Sequence, residues 1–561
     1  MSDRLRVLGI EGTAWAASAA VYDTEAGDAS GRRTRSADAE TDSVCIETDP
    51  YRPDSGGIDP SEAAEHMAKA VPEVVEAALD HADGPIDAVA FSRGPGLGPC
   101  LRTVGTAARA LAQSLDVPLV GVNHMVAHLE VGRHRSGFES PVCLNASGAN
   151  AHVLGFHDGR YRVLGETMDT GVGNAIDKFT RHLGWSHPGG PKVEKRAKGG
   201  DLVDLPYVVK GMDFSFSGIM SAAKQAVDGR ESHGDARARQ NSKSSEDDGE
   251  AVEDVCFSLQ ENVFAMLTEV AERALSLTGS DELVLGGGVG QNDRLREMLA
   301  AMCEQRGADC YAPEPRFLRD NAGMIAVLGA TMYEAGDTID VDDSRVRPDF
   351  RPDQVPVTWR SGESVRRRPP EGRERQGAEA VVDIGDERVT KRRVPKAYRH
   401  PDLDDRLRRD RTVLEARLTS AARRQGVPTP VVRDVDVPEG TLVLRTVGDA
   451  DLQAALSAER ARDVGRHLAA IHEAGFVHGD PTTRNVRVDG ERTYLIDFGL
   501  GYYTDDAEDF AMDLHVFERS VEGTADDPDP LREAFEAAYA DRGDDAVLGR
   551  LRSVEGRGRY Q

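Results

Sequence analysis

Toward its end the chain carries His478-Gly479-Asp480, then Asn485, then Asp497-Phe498-Gly499. No other feature constrains the fold as strongly. Phosphoryl transfer needs a carboxylate beside the attacking hydroxyl or water. It also needs an amide and a second carboxylate to hold magnesium against the phosphates. Asp480, Asn485 and Asp497 supply these groups in order, with the spacing HxDxxxxN, and DFG follows the strand-like TYLID. A lone DFG is common in unrelated chains; the ordered set is not. Upstream, Lys391 ends the strand-like RVTKRR, and Glu415 lies in the next helical stretch. That order suits a lysine on the α- and β-phosphates steadied by an ion pair. Glu415 also has a plain reading, as one of many charges on a solvated helix.

Three departures from the usual kinase pattern matter. No GxGxxG precedes Lys391; Arg375-Gln376-Gly377-Ala378-Glu379-Ala380-Val381-Val382 stands there instead. Gly479 occupies the place of the usual Arg, so control by a phosphorylated activation loop is not expected. The chain reaches Gln561 soon after Gly499, with no APE and little room for a full second lobe. From about 370 to 561, the segments QGAEA, KRRVPKAYRHPDLD, RTVLEA, HGDPTTRN, IDFGLG and VEGRGRY resemble the small kinase of the KEOPS complex, related to the RIO kinases. Pro481 replaces the usual Leu. The resemblance implies a small protein-kinase-like α+β domain that binds ATP and Mg2+. Arg375 to Val382, Lys391 and Glu415 would bind ATP, Asp480 would be catalytic, and Asn485 and Asp497 would hold magnesium. It also implies ATP hydrolysis in support of tRNA modification, and a Ser/Thr kinase activity.

A chain of 561 residues exceeds what one core serves. From Val7 to about 335, strands alternate with helical stretches, as in an α/β domain. Thr24 to Thr41 reads as a long hairpin loop. Asp228 to Asp254 is polar and without hydrophobic period, so it reads as a mobile surface insertion. Pro and charge from Asp337 to Arg375 mark a linker. The expected division is 1–335 with an insertion at 228–254, a linker at 336–370, and a second domain at 371–561. The net charge is −28, from 97 acidic and 69 basic residues. Its spread along the chain suits solubility at high salt, as in halophile proteins. It does not argue against RNA, because local arginines can still meet phosphates. The six cysteines form no CxxC, which favours reduced thiols. No apolar run approaches the ~20 residues of a membrane span, and MSDRLRVLGIEGT lacks a signal-peptide layout. A cytoplasmic protein with no membrane partner is expected.

The first half holds several small-residue turns. Gly9-Ile10-Glu11-Gly12-Thr13 closes a first strand, with Glu where the acid of actin-like ATP folds is usually Asp. Ser92-Arg93-Gly94-Pro95-Gly96-Leu97-Gly98-Pro99-Cys100-Leu101-Arg102 follows the strand DAVAF; it reads equally as a ligand loop or a tight structural turn. His124 and His128, at i and i+4, share one helix face and could bind one metal, or be ordinary histidines. Met125 stands where HExxH would need Glu, so no general base for peptide hydrolysis is present. LNASGAN (144–150), Asp177, Gly189-Gly190, Glu194, the Gly-rich turn from Gly286 to Asn292, and Asp320-Asn321-Ala322-Gly323 follow.

In order, IEGTA, SRGPGLGPCLR, NHxxAH, ETxDxxxGNxxDK, HPGGPxVE, FSFSG and DNAGM resemble the universal family that makes N6-threonylcarbamoyladenosine in tRNA. Its members are often labelled O-sialoglycoprotein endopeptidase. The resemblance spans about 5–333 and implies two actin-like lobes around a ligand cleft. It implies that His124, His128 and Asp320 bind iron (Fe2+) or zinc (Zn2+). Asn145 stands where archaeal relatives usually have a metal-touching Tyr, and is a poorer ligand than an anion. Asn145, Ala146, Ser147, Gly148, Ala149, Asp177, Gly190, Glu194 and Asn292 would hold threonylcarbamoyl-AMP. The implied partners are tRNA and the other KEOPS subunits, the dimerising small subunit and the kinase-activating one. A sugar- or acetate-kinase-like enzyme would need Asp in the first loop and no helical His pair. The other rival is a regulatory protein kinase carrying a non-catalytic actin-like scaffold.

Overall fold

The computed structural model describes residues 4–25, 42–52, 58–148, 150–157, 159–233, 247–360 and 374–557. Of the described residues, those up to Arg360, apart from Val209–Asp213, form one compact unit, and Val209–Asp213 with those from Glu374 onward form a second. No helix among the described residues is long and apolar enough to cross a membrane.

The first unit begins with strands β1 (Arg4–Glu11), β2 (Ala16–Glu25) and β3 (Ser43–Pro50). Helix α1 (Pro60–Asp80), β4 (Ala88–Gly94), α2 (Gly98–Leu115) and β5 (Leu119–Asn123) follow. The sheet order is β3-β2-β1-β4-β5. β1 is antiparallel to β2 and parallel to β4, so a hairpin is joined to parallel crossovers. Side chains alternate between its two faces. Leu8, Ile10, Val89 and Phe91 pack with Met67, Val71, Val104 and Ala108 of α1 and α2. Val7, Ala88 and Ala90 enter a second core on the other face.

The pattern then repeats. After α3 (His124–Ser136) come β6 (Val142–Ala146), β7 (Ala151–His157) and β8 (Arg160–Glu166). Helices α4 (Val172–His182) and α5 (Gly190–Ala197), the two-residue strands β9 (Val209–Lys210) and β10 (Asp213–Phe214), which apart from Phe214 are counted with the second unit, and helices α6 (Ser217–His233) and α7 (Asp247–Thr278) follow. β11 (Glu282–Gly286), α8 (Asp293–Arg306), β12 (Asp309–Tyr311), α9 (Pro315–Leu318) and α10 (Ala322–Glu334) complete the unit. The second sheet runs β12-β11-β6-β7-β8. Read from its hairpin edge, that is the order of the first sheet again, and the unit has the two-lobed actin-like fold. Val126 and Leu129 of α3 and Ile325 and Leu328 of α10 share one core with Ala90 of the first sheet and Cys143 and Val284 of the second. These two helices therefore lie between the sheets, and their N-terminal ends carry His124, His128 and Asp320.

Two sequence expectations need correction. The linker expected over 336–370 is packed onto the first unit through Arg360. Phe350 and Val355 are buried, Asn123 Nδ2 donates to Phe350 O at 2.8 Å, and Arg360 Nη1 meets Glu130 Oε1 at 2.9 Å. Glu130 also accepts from the Tyr161 hydroxyl at 2.7 Å. The packing rests on isolated apolar residues among short turns and single 3-10 turns, which leave no period to read. The insertion expected over 228–254 is helical to His233 and again from Asp247. The start of α7 is acid-rich, and Val255 is the first buried residue described in it. Residues 234–246, 361–373 and most of the 24–41 loop lie outside the described residues.

The second unit opens with β13 (Glu374–Gln376), β14 (Ala380–Ile384) and β15 (Arg388–Arg393), then α11 (Pro401–Arg424), β16 (Val432–Asp436) and β17 (Thr441–Arg445). Their antiparallel order is β13-β14-β15-β17-β16. β18 (Ala450–Asp451), α12 (Ala458–Glu473), β19 (Phe476–Val477), β20 (Val486–Asp489), β21 (Arg492–Leu495) and β22 (Tyr502–Tyr503) precede α13 (Ala507–Glu522), α14 (Asp529–Ala540) and α15 (Asp545–Arg557). This small α+β body presents the 478–499 segment between short strands and helices.

Candidate active sites

In the first unit, Asn123 caps α3 by accepting from Met125 N and Val126 N. His124 and His128 therefore start the helix one turn apart. Asp320 arrives from the turn before α10, itself capped by Asn321. The ligand atoms of His124, His128 and Asp320 all lie within 4.8 Å of one another. Each histidine Nε2 stands 3.4 Å from Asp320 Oδ1. Glu11, fully buried, bonds His124 Nδ1 at 3.0 Å through one oxygen and accepts from Thr13 N at 2.8 Å through the other. That fixes the ring and turns Nε2 toward Asp320. Burial opposes charge on His124, yet Glu11 and Asp320 raise its pKa to about 10. Burial also opposes charge on Asp320, and the two histidines hold it well below the usual carboxylate range. Burial pushes His128 down. A cation held here would take the place of the His124 proton.

His128 Nδ1 and Asn145 Oδ1 are buried without a hydrogen-bond partner among the described residues, and His128 Nε2 meets only Asp320 Oδ1, at 3.4 Å and outside good hydrogen-bond geometry; one nitrogen of the neutral ring carries the proton and the other offers a lone pair. Each orphaned buried acceptor costs about 1–3 kcal/mol. A cation held by these lone pairs removes much of that cost, so the donor set fits a metal ion. Asn145 is placed by β6, with Nδ2 3.2 Å from His152 Nε2 across the β6–β7 pairing. Burial holds His152 down to about 3.

The remaining residues named from the sequence lie on other loops and helix starts of the same unit. Gly287, at φ 82°, passes so close to β6 that a Cβ there would lie 2.2 Å from Ala146 O. Ser147 O and Gly148 O accept from Gly173 N at 3.2 Å and Asn174 N at 2.8 Å. Asp177 Oδ1 accepts from Gly189 N at 2.7 Å, while Oδ2 stands 3.1 Å from His187 Nδ1. His187 stacks on Trp15. Gly190 begins α5 and faces open space. Glu194 accepts from Asp293 N at 3.2 Å, next to Asn292, which caps α8. Ala149 lies outside the described residues. In SRGPGLGPCLR the glycine is used for packing: at Gly94, φ 147°, a Cβ would fall 1.8 Å from Arg347 O.

In the second unit, β15 carries Lys391 and α11 carries Glu415. Lys391 Nζ donates to both Glu415 oxygens at 3.0 Å and to Asp497 Oδ1 at 2.6 Å. Burial works against the ammonium, but Asp497 and then Glu415 raise its pKa. Against burial, Lys391 holds Asp497 down to about 2. Asp497 has φ 65°, a left-handed conformation that non-glycine residues seldom adopt and that clusters at functional sites. Asn485 Nδ2 donates to Asp480 O at 2.8 Å and Oδ2 at 2.9 Å. Gly479, at φ 85°, has room for no side chain: a Cβ would sit 2.2 Å from Leu500 O. That accounts for the missing Arg. Arg375 and Gln376 belong to β13, Gly377 N donates to Ala380 O at 2.9 Å to close the turn, and Lys396 Nζ donates to Ala378 O. Glu379 pairs with Arg411, and Val381 and Val382 lie in β14, Val382 opposite Lys391.

Three residues escape sequence reasoning in their roles. Glu11 announced itself only as an acid in a Gly turn. His152 becomes significant only through β6–β7 register. Asp513 of α13 accepts from His478 N at 2.6 Å and Gly479 N at 2.8 Å, so it holds the loop before Asp480. Nothing distinguishes it locally in so acidic a chain.

Residues 42–327 match the family model for tRNA N6-adenosine threonylcarbamoyltransferase, and 356–552 match that for the phosphotransferase enzyme family. A relative in Halobacterium salinarum, a "Probable bifunctional tRNA threonylcarbamoyladenosine biosynthesis protein", is 69% identical over 99% of both chains. One of the same name in Natronomonas pharaonis is 69% identical over 99% of this chain and all of that one. The chain belongs to the family of bifunctional tRNA threonylcarbamoyladenosine biosynthesis proteins. Membership extends to distant relatives: the Methanosarcina acetivorans protein is 45% identical over 99% of each. The family pairs a transferase with a phosphotransferase-type domain in one polypeptide, as the two units do here.

Proposed function

We propose that the first unit transfers the threonylcarbamoyl group of threonylcarbamoyl-AMP to N6 of the adenosine 3′ to the anticodon, in tRNAs that read codons starting with adenine. The convergence of His124, His128 and Asp320 beside orphaned acceptors carries this reading. These three residues, with Asn145 alongside, hold an iron or zinc ion, which when bound supplies Lewis acidity toward the transferred group. Glu11 keeps His124 in the tautomer that presents Nε2. The Gly148 and Gly287 backbones approach the ligand closely, and Asp177, Gly190, Glu194 and Asn292 position the adenylate. AMP is a good leaving group, so orientation of the N6 amine toward the carbamoyl carbon supplies much of the rate.

In the second unit Lys391, braced by Glu415, meets the nucleotide phosphates, Asn485 and Asp497 hold magnesium, and Asp480 faces the attacking group. ATP turnover there serves the modification, alongside a Ser/Thr kinase capacity. The protein works in the cytoplasm at high salt, with other KEOPS subunits. The test incubates the full chain with threonylcarbamoyl-AMP and unmodified tRNA, then quantifies the modified nucleoside by mass spectrometry. Transfer that persists undiminished in His124→Ala, with the variant folded, refutes the site assignment. No transfer by the unaltered chain, even with the other subunits present, favours a kinase carrying a non-catalytic scaffold.

A further inference from the structure

Arg102, Thr106 and Arg109 recur at i, i+4 and i+7, so they share one face of α2. Arg345, Val346 and Pro348, from the segment once expected to be a linker, close over that face. Together these six residues line a cleft of about 370 Å3. Arg109 is spent on the fold: its Nε and Nη2 donate to Ser344 Oγ and O, both at 2.6 Å. Arg93, from the same Gly-rich motif as Arg102, donates to Arg345 O at 2.9 Å and Asp343 O at 2.7 Å. Burial lowers the Arg93 pKa, and the positive charges of Arg347 and Arg109 lower it further against Asp343.

Among the described residues, none of Arg93, Arg102, Arg109 and Arg345 has a carboxylate in ion-pair range; the hydrogen bonds of Arg93 and Arg109 go to Ser344 and to backbone carbonyls. Four arginines gathered without an acid run against the balance of the whole chain, in which 97 acidic residues outnumber 69 basic ones. Elsewhere in this unit, Arg196 pairs with Glu253 and the half-buried Arg294 with Glu261. A local excess of like charge is self-repelling and adds nothing to the core. Arg102 and Arg345 are exposed and free to meet a ligand.

We propose that this cleft binds the phosphate backbone of tRNA. The inference rests on tRNA being the substrate, as argued above. Guanidinium forks match phosphate oxygens bidentately. The volume lies at the low end of the range, about 300–1,000 Å3, of clefts that hold small ligands, which suits a phosphodiester rather than a whole nucleotide. In molar salt the Debye length is about 3 Å, so only contacts this direct survive, and a preformed arginine cleft provides them.

The test measures binding of fluorescent unmodified tRNA to the full chain across a salt series. It compares the unaltered protein with Arg102→Gln, Arg345→Gln and the double variant, with thermal melts as a folding control. The double variant is expected to bind roughly tenfold more weakly at the lowest salt. Its slope of log K against log salt should fall by about 1–2, near one unit per lost phosphate contact. Arg102→Lys keeps the charge without the fork and should fall between. Turnover at saturating tRNA should stay unchanged, since neither residue touches the transfer site. Equal affinities and slopes in folded variants overturn the proposal. So does calorimetric binding of inorganic phosphate that the double variant loses while tRNA affinity stays put, since the cleft would then serve a free anion. Failure of the unaltered chain to transfer threonylcarbamate counts against the proposed function and leaves these slopes readable on their own.

Discussion

His128 Nδ1 and, beside it, Asn145 Oδ1 are buried without a hydrogen-bond partner among the described residues, and His128 Nε2 has only a 3.4 Å contact with Asp320, whereas the Lys391 ammonium has a carboxylate oxygen for each of its three protons. In the first unit, lone pairs are held apart by two helix N-termini and a strand end. They converge on a point, joined to one another only by the 3.4 Å contacts of the histidines with Asp320. In the second, the opposite charges have closed on each other, and the proposed magnesium ligand Asp497 is occupied by Lys391. The first arrangement is preorganised for a cation. The second has to open, with magnesium and nucleotide competing for Asp497 and Lys391. The first site should thus respond to metal removal, and the second to nucleotide.

The sharpest break comes from Asp480→Asn. It should lower ATP turnover at least ~1,000-fold, in the range of losing an essential group in phosphoryl transfer, while leaving bound iron or zinc unchanged. Next, His124→Ala should abolish stoichiometric metal, read by elemental analysis, and cut threonylcarbamoyl transfer about 100-fold or more, with ATP turnover untouched. Glu11→Gln keeps the shape but weakens the bond that orients His124. Loss of such an outer partner typically costs 10–100-fold in metal affinity, which a chelator competition would read. If Glu11→Gln binds metal normally, the ring is oriented by packing alone.

Two stability effects sharpen the contrast further. Gly479→Ala forces a side chain into a left-handed residue against Leu500 O, so the second unit should lose about 1–3 kcal/mol. The first unit's melting should not move. The acid limb tests the first unit. His152 is held down to about 3 by burial, while an unfolded histidine titrates near ~6.5. Between those values the unfolded chain binds the extra proton, so stability falls as pH falls, by at most about 1.4 kcal/mol per pH unit. His152→Gln should flatten that part of the profile relative to the unaltered chain.

Much of both sites was legible along the chain because their groups sit at short fixed spacings. His124 and His128 are one helical turn apart, and HxDxxxxN spans a single loop. Such spacings survive whatever the rest of the fold does. Asp320 was legible only by resemblance, since nearly two hundred residues separate it from the histidines. The 337–360 segment misled because its packing depends on Phe350, Val355 and Arg360 finding pockets made elsewhere, with no repeat to announce them.

The sequence by itself determined the two kinds of chemistry, because chemistry of this type requires particular side chains in a particular order. Tertiary structure alone decided which acids matter in a chain with 97 of them. Glu11 and Asp513 differ from other acids only in what the fold places beside them. The same holds for the arginines of the α2 cleft, whose charge becomes informative only once no carboxylate is found to answer it. A side chain's identity is local, but its electrostatic partner comes from a distant part of the chain, and only folding brings the two within range.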